Sequence, residues 1–201
     1  MKNKQNNLTW IPHFIMHNSK LVPFVIVAFM IGFEARHFVS PPLQTVVQSP
    51  NFTCKVCFTP GQACLPMILE EINKATTSIH MQAYSFTSKP IADALIRAHK
   101  RGATVVVIAD KSQRKEKYTQ INNVKHAGIA VYIDTQPAIS HNKLILIDST
   151  TVIGGPYNYS MAAEKRNAEN VTVTQSQEIA KLYEDNFRGR LAVSEVYTSK
   201  R

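Results

Sequence analysis

His141 and Lys143 stand two positions apart at the head of the apolar run Leu144–Ile147, and Asp148 stands at its foot. In an extended strand, side chains two apart share a face. An imidazole and an ammonium on one face form a pair suited to phosphate chemistry. The lysine supplies a positive charge for a phosphate oxygen. The histidine can attack phosphorus or move a proton near neutral pH. By the same parity Asp148, five residues past Lys143, falls on the other face. It is therefore expected to brace the scaffold rather than to meet the ligand shared by His141 and Lys143. A second apolar run, Thr151–Ile153, closes on Gly154-Gly155-Pro156-Tyr157-Asn158. The Asn158 amide can donate to another phosphate oxygen. The three groups together would stabilise a pentavalent phosphoryl transition state electrostatically.

Holding these residues requires a sheet. Thr104–Ala109 is a continuous apolar run, as in a strand covered on both faces. Ser78–Phe86, Ile129–Ile133 and Val171–Thr174 read as further strands. Lys143–Ile147 and Thr151–Gly154 are spaced so closely that they must form a hairpin. Leu65, Ile68, Leu69 and Ile72 recur at helical spacing, in a helix ending near Lys74. Ser88 as N-cap and Pro90 in the first turn open a second helix, with Ile91, Ala94, Leu95 and Ala98 inward and Gly102 as its stop. A third helix is expected over 115–126, a short one from Ser160, and a closing one over 177–188. This alternation predicts an α/β fold: a mixed, mostly parallel β-sheet flanked by helices on both faces. The chain carries no internal repeat, no G-x-G-x-x-G and no P-loop.

Of 201 residues, 44% are apolar and 18% charged, a globular balance. The net charge of +9 favours polyanionic partners: nucleic acid, phosphorylated compounds or an anionic membrane surface. Leu21–Phe33 is a thirteen-residue stretch without a charge, preceded by Lys2, Lys4 and Lys20. A bilayer-spanning helix needs about 20 apolar residues, so the length fits an export signal, though no clean cleavage site follows it. The division expected is 1–33 as export signal or short membrane anchor, 34–60 as a proline-marked linker, and 61–201 as the globular domain. The domain would then be periplasmic or secreted, or held at a membrane through Leu21–Phe33. Cys54, Cys57 and Cys64 lie within eleven residues. They have no second cysteine pair to complete a zinc site, and an exported chain favours a local disulfide with one cysteine left over.

The run His141-Asn-Lys143-Leu-Ile-Leu-Ile-Asp148, followed by Gly-Gly-Pro-Tyr-Asn158, resembles the H-x-K-x(4)-D signature of the phospholipase D superfamily. Met81-Gln-Ala-Tyr84, the segment from Ala162 through Asn167 and Glu169 to Asn170, and the Cys57-Phe-Thr-Pro…Cys64 start extend the likeness to about residues 54–190. It is similar to the small, single-motif bacterial branch typified by the Nuc-type endonuclease. The resemblance implies that His141 is the nucleophile of a covalent phosphohistidine and that Lys143 and Asn158 hold the phosphate. Glu169 would hydrogen-bond a catalytic histidine, Asp148 would be structural, and Cys57 and Cys64 would form the disulfide. No metal and no cofactor are required. Gly155, Tyr84 and Tyr157 are expected at the substrate; the tyrosines, with Tyr159, could stack on bases, with core or rim packing as the alternative.

Larger members of that superfamily carry two motifs in one chain, so the resemblance implies that this single-motif chain forms a homodimer bringing two His141 residues to one site. The substrate reading is nucleic acid cut with little sequence preference, with a membrane phospholipid as the alternative. A non-catalytic binding module is a further alternative. Related enzymes usually carry Gly-Ser where this chain has Gly155-Pro156, and proline brings neither a hydroxyl nor an N–H.

Overall fold

The structure is a computed structural model and describes residues 52–198. The expected export or anchor segment and most of the expected linker lie outside the described residues. Among the described residues, no helix is long and apolar enough to cross a membrane.

Eight strands form one sheet: β1 Thr53–Thr59, β2 Ser78–Ala83, β3 Thr104–Asp110, β4 Ala130–Asp134, β5 Lys143–Ile147, β6 Thr151–Gly154, β7 Glu169–Gln175 and β8 Glu195–Val196. Their spatial order is β1-β7-β6-β5-β2-β3-β4-β8. The helices are α1 Cys64–Lys74, α2 Lys89–Lys100, α3 Ile121–His126, α4 Met161–Lys165 and α5 Gln177–Ala192, with a 3-10 turn over Lys111–Arg114.

The sheet is mixed, with helices on both faces. Its parallel part is smaller than expected, however, being confined to β2-β3-β4. The other five ladders are antiparallel. The reason lies in the connections. Only α2 and α3 serve as crossovers between neighbouring parallel strands, while β5 and β6 are joined by a tight hairpin. Three turn residues close that hairpin. Asp148 and Ser149 are left-handed, with φ of 51° and 55°, and the Thr150 N–H donates to the Ile147 carbonyl. Aspartate tolerates this conformation better than most residues.

Alternation along the strands sorts the core into two layers. Ile79, Met81, Val105, Val107, Ile145, Ile147 and Ile153 meet Ile68, Ile72, Ile91 and Leu95 of α1 and α2 on one face. Leu144, Leu146, Ile108 and Val152 meet Ala180 and Phe187 of α5 on the other. Each fully buried isoleucine or leucine contributes roughly 1.5–3 kcal/mol of transfer free energy. β5 is apolar throughout after Lys143 because both of its faces are covered.

Two expectations are corrected here. Residues 53–59, assigned to the linker because of their flanking prolines, form the edge strand β1 paired along its whole length with β7. Cys57 and Thr59 face inward, and the disulfide Cys57–Cys64 ties the strand to the start of α1. The expected helix over 115–126 starts only at Ile121. The preceding stretch Lys-Glu-Lys-Tyr-Thr-Gln has no apolar face to bury. It is held as a loop by the Gln113 carbonyl, which accepts from the Phe86 N–H at 3.2 Å and the Thr119 hydroxyl at 2.9 Å.

Candidate active site

The ends of β5, β6, β2, β7 and β1 converge on one rim of the sheet, and His141 and Lys143 stand there. Asp110, at the end of β3, fixes the approach. Its carboxylate accepts from the Ser140 N–H at 2.7 Å and the Ser112 N–H at 2.8 Å. Burial alone would raise its pKa, but these hydrogen bonds outweigh it and hold the group below the usual range. Lys111 adds a bond from its ammonium to the Pro137 carbonyl at 2.9 Å. The loop into β5 thus reaches His141 already anchored. Sequence reading missed Asp110, whose only signal is a carboxylate directly after an apolar strand.

Lys143 is buried and His141 exposed. The Lys143 ammonium lies 3.0 Å from His141 Nδ1 and donates to the His141 carbonyl at 2.7 Å. Tyr84 forms a wall behind both. Its ring centroid is 4.5 Å from that of His141 and 4.9 Å from Lys143 Nζ. The Tyr84 N–H donates to the Asn142 carbonyl, extending the β2–β5 ladder past its last pair. Tyr84 therefore packs against the His141–Lys143 pair. Burial lowers the Lys143 pKa, opposed by the negative charge of Glu169. Lys143 lines a small space together with Ile68, Ile153, Tyr157, Tyr159 and Val171, largely apolar surroundings that agree with the desolvation.

Asn158 follows the β6 turn. Its Oδ1 is buried without a donor, which leaves the side-chain amide uncommitted to protein. Buried polar atoms are normally satisfied; an acceptor oxygen offers nothing to a phosphate oxygen, so a hydrogen bond from Asn158 to a phosphate would have to come from its Nδ2 hydrogens. Gly155 makes the turn possible, with φ of 144° and a backbone so close to β7 that an added Cβ would lie 2.5 Å from the Asn170 carbonyl oxygen. No side chain fits there. Pro156 beside it is exposed.

Two expected placements, those of Tyr157 and Glu169, are revised, and Tyr159 takes the core position weighed for it. Tyr157 is 3% exposed, and its hydroxyl donates to Glu164 at 3.0 Å. Burial, reinforced by that carboxylate, raises its pKa. It is a core residue and offers no face to a substrate. Tyr159 is buried too, and its backbone joins the β6–α4 loop to Ser85, Thr87 and Ser88. Glu169 stands at the head of β7, close enough to act on the Lys143 charge, but it accepts from Asn167 at 3.0 Å and makes no hydrogen bond to His141 within the chain.

Asp148 lies at the far end of β5, about 16 Å of extended chain from Lys143. Its two oxygens accept five hydrogen bonds, from the N–H and hydroxyl of Thr76, the N–H and hydroxyl of Thr77, and the Ser78 N–H, all at 2.8–2.9 Å. Burial works against the charge, but the backbone donors hold its pKa far below the ordinary carboxylate value. It pins the hairpin to the start of β2. Cys57 and Cys64 form the disulfide, with Cα atoms 5.5 Å apart, and Cys54 is free and exposed. Among the described residues, no three histidine, cysteine or acidic side chains gather into a metal-binding cluster.

The arrangement is an imidazole and an ammonium side by side at one rim, with Asn158 on the turn that follows β6, side chains whose chemistry suits a phosphate. Comparison with known proteins agrees with it. Residues 68–191 match the model of the cardiolipin synthase, phospholipase D-like domain family. The chain is 43% identical over 164 residues to a phospholipase D of Rickettsia typhi, covering 82% of this chain and 78% of that protein. It is 31% identical over 139 residues to the mitochondrial cardiolipin hydrolase of Danio rerio, covering 68% and 61%. Among solved structures, Nuc from Salmonella typhimurium, a phospholipase D family member, superposes with a TM-score of 0.70 at 31% identity, covering 74% of this chain and 100% of that one.

Proposed function

The chain belongs to the phospholipase D superfamily and is one of its phosphodiesterases, and we propose that it hydrolyses nucleic-acid phosphodiesters through a covalent phosphohistidine at His141. The observation that carries this is the 3.0 Å approach of Lys143 Nζ to His141 Nδ1 at an exposed strand head. As a cation Lys143 can only donate, so at rest Nδ1 is the acceptor and Nε2 carries the ring proton. An arriving phosphate draws the ammonium onto its own oxygen. Solvent at the exposed ring can then protonate Nδ1 and take the proton from Nε2, so that Nε2 presents its lone pair to phosphorus. The new N–P bond forms as the P–O bond to the leaving group breaks. Lys143 and the Asn158 amide neutralise the equatorial oxygens.

The leaving oxygen needs a proton. None of the other described histidines shares this rim. His80 is held by Glu184 at 2.7 Å and stacked on Phe187 on the α5 face, while His99 and His126 ride on α2 and α3. We assign the acid to His141 of the partner subunit in a homodimer. It would then deprotonate the water that releases the phosphohistidine. Glu169, unused by its own His141, is free to hold that second imidazole. The chain is read as exported, with Leu21–Phe33 as signal or anchor.

A phospholipid is the second reading, favoured by the names of the curated relatives, a phospholipase D and a cardiolipin hydrolase. The test is a parallel assay of DNA, RNA and phospholipid vesicles in chelator, with His141→Ala alongside. Cleavage of nucleic acid that disappears in the mutant supports the proposal. Undiminished cleavage by His141→Ala would refute the mechanism, and hydrolysis of vesicles alone would select the lipid reading.

A further inference from the structure

Beside the catalytic rim lies a groove of about 680 Å³, walled on one side by the loop 116–120 and on the other by Ser160, Met161, Ala162 and Arg166. Its volume is in the range of ligand clefts, roughly 300–1,000 Å³. Thr87, four residues past the end of β2, and Ser160, two past Asn158, both line the groove. The Thr87 N–H donates to the Tyr159 carbonyl and the Ser160 N–H to that of Asn158, so the groove starts two residues from the amide assigned to the phosphate.

The loop wall is fixed in place. The Gln120 N–H donates to the Phe86 carbonyl, and Gln113 bridges Phe86 and Thr119. Glu116 accepts from the Tyr118 N–H at 3.2 Å and, through its carbonyl, from the Thr119 N–H. These bonds hold Tyr118 with its ring outward, 65% exposed. An aromatic side chain held so open by a pinned loop gains nothing from the fold. Lys117 Nζ lies 5.3 Å from its centroid. Arg166 is exposed on the facing wall and, like Lys117, has no carboxylate partner among the described residues.

We propose that this groove binds a single nucleic-acid strand continuing from the scissile phosphate, with Tyr118 stacking on a base and Lys117 and Arg166 holding backbone phosphates. Ring stacking with flanking cations is the chemistry of sequence-tolerant single-strand binding. An acyl chain would need a continuous apolar lining. Here Met161, Ala162 and the Tyr118 ring are interrupted by Thr87, Glu116, Lys117, Thr119, Gln120, Ser160 and Arg166. The proposal deepens the phosphodiesterase reading and rests on it for the location of the scissile bond.

The test uses the full chain with His141→Ala, so that bound strand is not cut, and a fluorescent single-stranded DNA 12-mer followed by anisotropy. Adding Tyr118→Ala should weaken binding roughly 5- to 150-fold, the range for one base stacked on a ring. Adding Arg166→Ala should lower the slope of log affinity against log salt by about 0.7, one phosphate contact on a single strand. Both side chains are exposed, and unchanged thermal melting would verify that the variants fold. Absence of 12-mer binding, or affinities within twofold in both variants with an unchanged slope, overturns the proposal. So does Tyr118-dependent binding of phosphatidylglycerol vesicles that excludes the 12-mer, which would assign the groove to lipid. Hydrolysis of bis(p-nitrophenyl) phosphate by wild type and His141→Ala is measured separately. If the mutant matches the wild type there, the catalytic reading fails while the anisotropy result stands.

Discussion

The ammonium of Lys143 sits 3.0 Å from Nδ1 of His141 and is buried where the imidazole is exposed. The imidazole faces solvent while the ammonium is held behind it. Burial lowers the Lys143 pKa. The cationic form is the one a phosphate needs, so activity should fall on the alkaline side at a pH below the ordinary lysine value of about 10.4. Lys143→Met should reduce kcat by about 10²–10³, the scale for losing one transition-state donor, and should erase that alkaline limb. A pH–rate profile of both proteins checks this, and an identical limb in the mutant would assign it to another group.

Asp148 should matter to stability rather than chemistry. Its folded pKa is depressed by the Thr76, Thr77 and Ser78 donors. The stabilisation is therefore complete above the unfolded value of about 3.9 and is lost as pH falls from there through the folded value. Asp148→Asn should cost about 2–3 kcal/mol at pH 7. The difference from wild type should shrink below about pH 4. Urea denaturation at pH 7 and pH 3.5 measures both, and equal deficits at the two pH values would contradict it.

Tyr84 and Tyr157 should respond in opposite ways to truncation. Tyr84→Ala removes the wall behind His141 and Lys143 and should lower kcat about tenfold or more through misorientation, with little change in melting temperature. Tyr157→Ala removes a buried ring and should cost roughly 3–5 kcal/mol of stability. Paired kinetics and thermal melts separate the two.

Reduction of Cys57–Cys64 should destabilise the domain by roughly 2–3 kcal/mol, the loop-closure value for so short a ring. Cys57→Ser should match the reduced protein, whereas Cys54→Ser, at an exposed position, should melt like the wild type. A Cys54→Ser protein that melts like reduced wild type would show that the pairing is different.

Much of this was legible in the sequence because the relevant signals are local. The β5–β6 hairpin was readable from two apolar runs and the turn residues between them, and its strands fall over Lys143–Ile147 and Thr151–Gly154 as expected. The side-by-side placement of His141 and Lys143 follows from strand parity. What escaped depends on contacts distant in sequence. β1 is a strand because β7, more than a hundred residues later, pairs with it. Tyr157 and Tyr84 have the same composition signal, and only the tertiary packing sends one inward and the other against His141. Asp110 acts on Ser140 across thirty residues, which no spacing rule reveals. The loop 115–120 stays out of the helix because it has no apolar face to bury and because the Gln113 side chain captures Thr119 and Phe86.

Gly155 has a consequence on the timescale of descent. With the Asn170 carbonyl oxygen 2.5 Å from where a Cβ would stand, selection has no alternative at this position while the turn is kept. Its neighbour Pro156 points to solvent and is unconstrained by packing. In the genetic code a proline codon is one base from a serine codon. A hydroxyl-bearing form of the turn is therefore one base change away, while the backbone at Gly155 is fixed by its contact with β7.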